Sequence, residues 1–310
     1  MSADPVRAIA DAVLYEGYIL WPYRRSALKN QRRFTFGGVY PPAHAALHPD
    51  DPDTMRAEML LAGEAEIDVT VRFLQIVTRT VLGPDGDGVD ECVIDGERLL
   101  SWEEAIEREL VIGSRPRTVA IAGGAERDGA VLRSWERLDG EIDVRAEPTR
   151  RPGLRRLSVT VRNLTAFAPG GTREQALKCT FCSTHMLLRA RPGGAFVSLT
   201  DPPPDLATEA ATCRNVGCWP VLVGEAGDTS TMLASPIILE DHPRIAPESP
   251  GDMFDGGEID QLLVLGIMAL TEEEQAEMAA SDPRAAEILE RVKRLTPEEL
   301  MALHGRTALR

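Results

Sequence analysis

The spacing of apolar residues changes along the chain, and each change predicts a different element. Val6, Ile9, Ala10, Val13 and Leu14 recur at intervals of three and four. That predicts a short helix from about Pro5 to Tyr15, with proline tolerated in its first turn. From Glu66 the period falls to two: Ile67, Val69, Val71 and Phe73 alternate with Asp68, Thr70 and Arg72. This is the pattern of a half-buried strand, and it extends towards Leu82. Thr118–Ile121, the alternations around Ile142 and Val144 and around Leu157, Val159 and Val161, and the runs Met186–Leu188, Ala195–Leu199, Val221–Val223 and Met232–Leu239 predict further strands. Clusters such as Pro84-Asp85-Gly86-Asp87-Gly88, Pro192-Gly193-Gly194 and Asp201-Pro202-Pro203-Pro204 read as the turns between them. Strands joined by turns, without regular helices between them, predict an antiparallel sandwich or barrel rather than a parallel α/β sheet.

Ser101-Trp102-Glu103-Glu104 interrupts this series with a capping-box signature, which predicts a short helix to Leu110. The end of the chain is helical by the same signals. Glu258 to Met268 carries Ile259, Leu262, Leu263 and Ile267 at helical spacing, although its apolar run also fits a strand. Thr271-Glu272-Glu273-Glu274, Ser281-Asp282-Pro283 and Thr296-Pro297-Glu298-Glu299 each start a helix, and Gly305 stops the last one. Ile288, Leu289, Val292 and Leu295 form an apolar stripe that must cover something, with an open sheet edge one option. The expected fold is a β-rich α+β protein with an antiparallel sandwich-like core. Residues 1–65 form an N-terminal extension, 66–240 the core, and 241–310 an acidic loop with a helical tail.

With 310 residues, 43% hydrophobic and 27% charged, the chain has a globular composition with room for a sizeable core. Its apolar runs are broken well before the length of a bilayer span, so no transmembrane helix is expected. Met1-Ser2-Ala3-Asp4-Pro5 lacks the basic start and apolar stretch of a signal peptide, so a cytoplasmic location is expected. A net charge of −15 argues against general nucleic-acid binding.

Five cysteines are an odd number, and Cys92 stands alone. Cys179 and Cys182 form one close pair, with His185 three residues on, and Cys213 and Cys218 another. Two short-spaced pairs are the usual source of a tetrahedral zinc site, the one cofactor the sequence brings into question. Against it, a single strand through this region would turn Cys179 and His185 one way and Cys182 the other. Buried thiols without metal are therefore the preferred reading, and His185 is expected to be buried in the sheet. A thiol- or histidine-dependent hydrolase built on Cys182 and His185 is the enzymatic alternative, and it meets the same parity problem. The motifs of serine hydrolases, zinc proteases, P-loops and dinucleotide sites are missing from the chain. His242, beside Asp241 and Pro243, reads as a polar loop pair.

One window stands apart. Leu14 to Arg33 holds Tyr15, Tyr18, Tyr23 and Trp21, and Arg24, Arg25, Lys29, Arg32 and Arg33 follow with no acid among them. Trp21, Tyr23, Arg24, Arg25, Arg32 and Arg33 have the composition of a protein-binding hot spot, with ordinary core packing the rival for Trp21. A second window, Glu240 to Asp260, holds seven acids against Arg244 alone and could dock on those arginines.

Cys213-Arg214-Asn215-Val216-Gly217-Cys218-Trp219-Pro220, Thr231–Leu239, His242–Asp252 and Phe254–Asp260, together with Glu16-Gly17-Tyr18-Ile19-Leu20-Trp21-Pro22-Tyr23, carry a resemblance that covers most of the chain. They resemble an uncharacterised bacterial family associated with actinobacterial gene clusters for high-affinity nickel–iron hydrogenases. Cys218 stands where that resemblance implies a small or hydroxyl residue, which further weakens a four-cysteine metal site. No activity comes with the family. The resemblance implies a setting: a non-catalytic accessory or assembly protein whose partners are hydrogenase subunits or maturation factors. A hydrolase and a small zinc-binding module remain the alternatives.

Overall fold

The computed structural model describes residues 5–18, 20, 22–31, 35–113, 116–244, 253 and 260–302. The strands are β1 (Thr54–Ala62), β2 (Ile67–Leu82), β3 (Gly88–Val89), β4 (Glu91–Ile94), β5 (Glu97–Leu100), β6 (Trp102–Ile112), β7 (Arg117–Ile121) and β8 (Gly124–Asp128). They continue with β9 (Val131–Trp135), β10 (Leu138–Pro148), β11 (Leu154–Asn163), β12 (Cys182–Ala190), β13 (Ala195–Phe196), β14 (Trp219–Leu222) and β15 (Thr231–Ser235). The helices are α1 (Pro5–Tyr15), α2 (Leu28–Gln31), α3 (Pro42–Ala45), α4 (Arg173–Lys178), α5 (Ala207–Ala210), α6 (Asp260–Met268), α7 (Glu272–Ser281), α8 (Pro283–Lys293) and α9 (Pro297–Ala302).

Two antiparallel sheets make the sandwich. The first runs β13-β1-β11-β10-β7. The second runs β14-β15-β12-β2-β9-β8, with β3 and β6 also paired to β2. The alternation that predicts β2 sends Val69, Val71 and Phe73 inward, where they meet Met55, Met59, Leu157, Val159 and Ile142 of the first sheet. Phe73 stacks on Phe181 with ring centroids 4.6 Å apart. Gly140 in β10 makes room for that ring, because a Cβ there would lie 2.7 Å from the Phe181 ring and from the Arg162 carbonyl oxygen. β2 is the spine: it pairs with β6 along one edge and with β12, then β9, along the other.

The outer face of the second sheet is apolar too, and helices cover it. Val6, Ile9, Ala10 and Val13 of α1 pack on Leu187, Val221, Val223 and Leu233. Leu74 and Ile76 lie under Leu263, Ile267, Met278, Ile288, Leu289 and Val292 of α6, α7 and α8. The stripe of α8 thus covers a sheet face. The free edge of β14 is closed differently. Asp241 Oδ1 accepts from the Leu222 N–H at 2.8 Å, the His242 N–H donates to the Leu222 carbonyl at 2.7 Å, and Pro220 brings no N–H. Among the described residues no helix is long and apolar enough to cross a membrane.

The α+β, β-rich fold class stands, with α1 where the spacing places it and α6 a helix. Three local expectations are corrected. Residues 102–112 form strand β6, not a helix: Ser101 Oγ accepts from the Val81 N–H at 2.8 Å instead of capping, and eleven consecutive residues pair with β2. The first sheet strand, β1, begins at Thr54, inside the segment assigned to the N-terminal extension. The strand through the Cys179–His185 region begins only at Cys182 and is bulged, with Cys182 opposite Leu74 and His185 opposite Arg72. Ser183 and Thr184 together face Phe73 there, and Ser183 takes φ 51°. The extra residue turns Cys182 and His185 to the same side of the sheet, contrary to simple alternation.

Candidate functional site

The cysteines are placed by separate elements. Cys179 caps the C-terminus of α4, and Cys182 opens β12 with its thiol 3.8 and 3.7 Å from the Leu177 and Thr180 carbonyls. Cys218 lies in the sandwich core and donates to the Arg56 carbonyl at 3.3 Å. Cys213 sits beside Arg156 and Glu58, and Cys92 lies in β4. Burial pushes the Cys179 thiol up to about 11, helped by Glu136, and that of Cys218 up to about 12. Cys213 also rises, with burial the leading cause. Among the described residues, no three His, Cys, Asp or Glu side chains converge to hold a metal ion.

His185 is fully buried. Its Nδ1 lies 3.1 Å from the Ser183 carbonyl oxygen, which makes Nδ1–H the donor and leaves Nε2 bare. Burial pushes its pKa down to about 3; the Ser183 bond opposes this, and the positive charges of Arg72 and Arg7 add to it. Arg72, opposite it in the register, is buried as well. Its guanidinium meets Asp11 at 2.6 Å, Glu109 at 3.4 Å and Glu107 at 3.5 Å. Tyr15 and Arg284 join at Glu107, with the Arg284 guanidinium 3.6 Å from the centre of the Tyr15 ring. Among the described residues, His185 Nε2, Ser183 Oγ and Arg72 Nη1 are buried without a hydrogen-bond partner. This polar layer joins sheet and helices in the interior, and a neutral imidazole enclosed there is poorly placed to serve a substrate from solvent.

The described residues of the aromatic and basic block are folded into the molecule. Tyr15, Tyr18 and Tyr23 are buried, and Tyr23 Oη donates to the Met253 carbonyl at 2.5 Å. Arg24 reaches Glu274 at 3.0 Å and Glu277 at 3.9 Å on α7. The Arg25 N–H donates to Ser281 Oγ at 3.1 Å, while its guanidinium donates to the Ser101 and Asp90 carbonyls at 3.0 and 3.3 Å. Asn30 holds the loop by bonds to both backbone groups of Leu20 and to the Arg24 carbonyl. Residues 22–31 are therefore a clasp between α7 and the edge of the second sheet. Trp21, Arg32 and Arg33 lie outside the described residues, as do Glu248, Asp252, Asp255 and Glu258 of the acidic window.

This clasp borders a cleft of about 720 Å³, lined by Arg25, Asn30, Thr78, Thr80, Asp90 and Trp102 among others. The β4–β5 hairpin adjoins it, with β5 beside α7 and both strands near β2. Asp95 and Gly96 both have positive φ, 52° and 85°, the two-residue turn that matches strand twist. β4 and β5 pair with each other as a separate two-stranded sheet. Val93 is 68% exposed near its tip, and Leu28 is 83% exposed on α2, whose Asn30 lines the cleft.

One further cluster has no counterpart in the expectations. Tyr40, His44 and His48 stack in succession, with centroids 5.2 and 4.2 Å apart. His44 Nε2 lies 2.8 Å from Asp51 Oδ2, and Arg173 of α4 bonds Asp51 at 3.2 Å and Tyr40 Oη at 2.5 Å. Burial alone would raise the Asp51 carboxyl, but bonds from His44 and Arg173 outweigh it and hold the group below its usual range. Burial, followed by nearby Cys182, drives the Tyr40 hydroxyl strongly upward. The His44-x3-His48-x2-Asp51 spacing was its one sequence signal; Tyr40 and Arg173 come together only through folding. With His44 enclosed, the knot pins the α3 loop to α4. No protein-family model matches the chain, and no curated protein matches it significantly.

Proposed function

We propose that the chain is a non-catalytic interaction protein, an accessory or assembly protein for a cytosolic metalloenzyme complex, and that this complex is a nickel–iron hydrogenase. The resemblance through Glu16–Tyr23 and Cys213–Asp260 supports the hydrogenase setting. The observation that carries the docking role is the pair of exposed apolar side chains, Val93 on the β4–β5 hairpin and Leu28 on α2, beside the 720 Å³ cleft. Exposed β-branched and leucine side chains beside a cleft favour a protein partner. The hairpin would supply strand edges and Val93, and α2 would supply Leu28. The rival hydrolase and zinc readings draw less support, since His185 is enclosed and, among the described residues, no three ligand side chains converge.

The test is recovery of partners from the native host with the tagged chain, read by mass spectrometry. Wild type is expected to retain hydrogenase subunits or maturation factors. Leu28→Lys with Val93→Lys, both at exposed positions where stability should move by less than ~1 kcal/mol, is expected to lose them at least tenfold with an unchanged melting temperature. Undiminished recovery by the double variant, or wild-type recovery without any hydrogenase component, would overturn the proposal.

A further inference from the structure

The outer face of the first sheet carries an apolar patch of Leu60 and Leu154 under α5, but beside it the face is polar, with a particular order in its register. Arg56 of β1 lies opposite Thr160 of β11, which lies opposite Asp143 of β10. The next row is Glu58, Ser158 and Arg145. The middle strand thus carries short hydroxyl side chains between two strands of long charged ones, and the face dips along its centre. The dip is a depression of about 110 Å³ whose walls are Arg56, Arg145, Arg156 and Arg162 and whose floor is Ser158 and Thr160. Two of its three carboxylates lie deep, while Glu147 lines it from an exposed position. The Glu58 and Asp143 side chains are 6% and 10% exposed, whereas those of Arg56 and Arg145 are 45% and 64% exposed.

Glu58 is a fixed strut. It pairs with Arg56, and its other oxygen accepts the Arg214 N–H at 2.7 Å. Asp143 does the same for Arg145, at 2.7 Å. Each carboxylate occupies part of a guanidinium that has five N–H donors, so it neutralises repulsion between the arginines from below and leaves donors for the depression. Arg156 Nε is buried without a partner among the described residues. The depression is continuous, through Glu147 and Arg156, with a second hollow of about 510 Å³. That hollow adds Thr149, Arg150, Thr208 and Thr212, again mostly hydroxyls and an arginine.

We infer that this face binds a small phosphorylated metabolite, with the phosphoryl group in the arginine-walled depression and a polar, hydroxylated body in the adjoining hollow. Forked guanidinium donors match a tetrahedral oxyanion in geometry as well as charge, and the depression has room for several waters and hence for one such group. In a chain of net charge −15, this concentration of arginines opposes the general field and acts only at close range. The site is on the sheet face away from the helical layer, and it is independent of the docking role proposed above.

Calorimetric titration of the full chain with inorganic phosphate and with ribose 5-phosphate tests this. Both are expected to bind saturably at one site, with ribose 5-phosphate at least tenfold tighter. Arg162→Gln, which breaks only an exposed pair with Glu141, should weaken both at least fivefold with no shift in melting temperature. Ser158→Asp should abolish binding by placing a negative charge on the floor, and Arg145→Gln gives the same reading if that variant does not fold. Arg191→Gln, whose partners are Glu66 and Asp68, should bind as wild type. Absence of saturable binding, or equal weakening in Arg191→Gln, would overturn the site. Ribose 5-phosphate binding no tighter than phosphate would overturn the assignment of the second hollow. A glutamate-rich peptide that binds wild type, loses binding in Arg162→Gln and is not displaced by phosphate would make the face a protein-docking surface instead.

Discussion

Acid should reveal His185. Its imidazole is fully buried with a pKa pushed down to about 3, whereas the unfolded chain offers an ordinary histidine near ~6.5. Between those values the unfolded chain takes up a proton that the folded chain refuses. The folded pKa is the depressed one, so this contribution to stability is complete above ~6.5 and is lost as the pH falls towards 3. The slope is about 1.4 kcal/mol per pH unit, or about 2 kcal/mol between pH 6.5 and 5. At roughly 2 °C per kcal/mol for a chain of this size, that is about 4 °C of melting temperature. The assay is urea unfolding at pH 7, 6 and 5 for wild type and for His185→Gln, which keeps an acceptor but does not titrate. The glutamine variant should begin less stable, and the two proteins should converge by about 2 kcal/mol at pH 5. The remaining histidines are common to both and cancel, and the window lies above the usual carboxylate range. Parallel pH slopes would refute the reasoning, because they would mean that the folded imidazole protonates as freely as the unfolded one.

Arg72 gives an asymmetric pair of outcomes. Its three carboxylate partners are between 36% and 45% exposed and can return to water, so Arg72→Met should stay within about 2 kcal/mol of wild type in urea unfolding. Asp11→Asn with Glu107→Gln and Glu109→Gln strands the buried guanidinium and should lose about 3–5 kcal/mol; a reversed order would contradict this account. Arg24→Glu with Arg25→Glu sets like charges against Glu274 and Glu277 and removes charge-assisted bonds, a loss of about 2–3 kcal/mol. Amide exchange should quicken over Glu272–Ser281 while β2 and β12 stay protected, and unchanged exchange in α7 would speak against a clasp.

What the chain discloses on its own divides by range. Helix α1, the capping box of α7 and the Asp282-Pro283 start of α8 are short-range signals, and Thr271 indeed accepts from the Glu274 N–H. Strand β2 is equally legible, because its alternation is set by the inner core on one side. Strand β6 is not, since Glu103, Glu104, Ala105, Glu107 and Arg108 favour helix in isolation, and only pairing with β2 across the sheet overrides that preference. The bulge at Ser183 is invisible for the same reason: one extra residue changes which side His185 faces, and no local composition marks it. The arginines of the N-terminal block were legible as a group, but their partners were not. Glu274 and Glu277 look like an ordinary solvated first and second turn of a helix until α7 is folded back beside Arg24. The arginine-walled depression was missed because Arg56, Arg145, Arg156 and Arg162 come from three strands and meet only through cross-strand register.

The clasp also sets a clock on biosynthesis. The Tyr23 hydroxyl waits for a carbonyl 230 residues downstream, and Tyr15 meets an arginine 269 residues downstream. At translation rates of about 5–20 residues per second, the interval before Met253 is made is roughly 10–50 s. Through that interval the ribosome carries three tyrosines that are buried in the finished protein but still lack the helices that cover them. The sandwich can assemble once β15 emerges, so the segment from Tyr15 to Tyr23 is made before the sheets and settles after them. A nascent chain halted between Ser235 and Asp260 would display the sheet with its helical cover incomplete, and it is at that stage that a chaperone has the most apolar surface to hold.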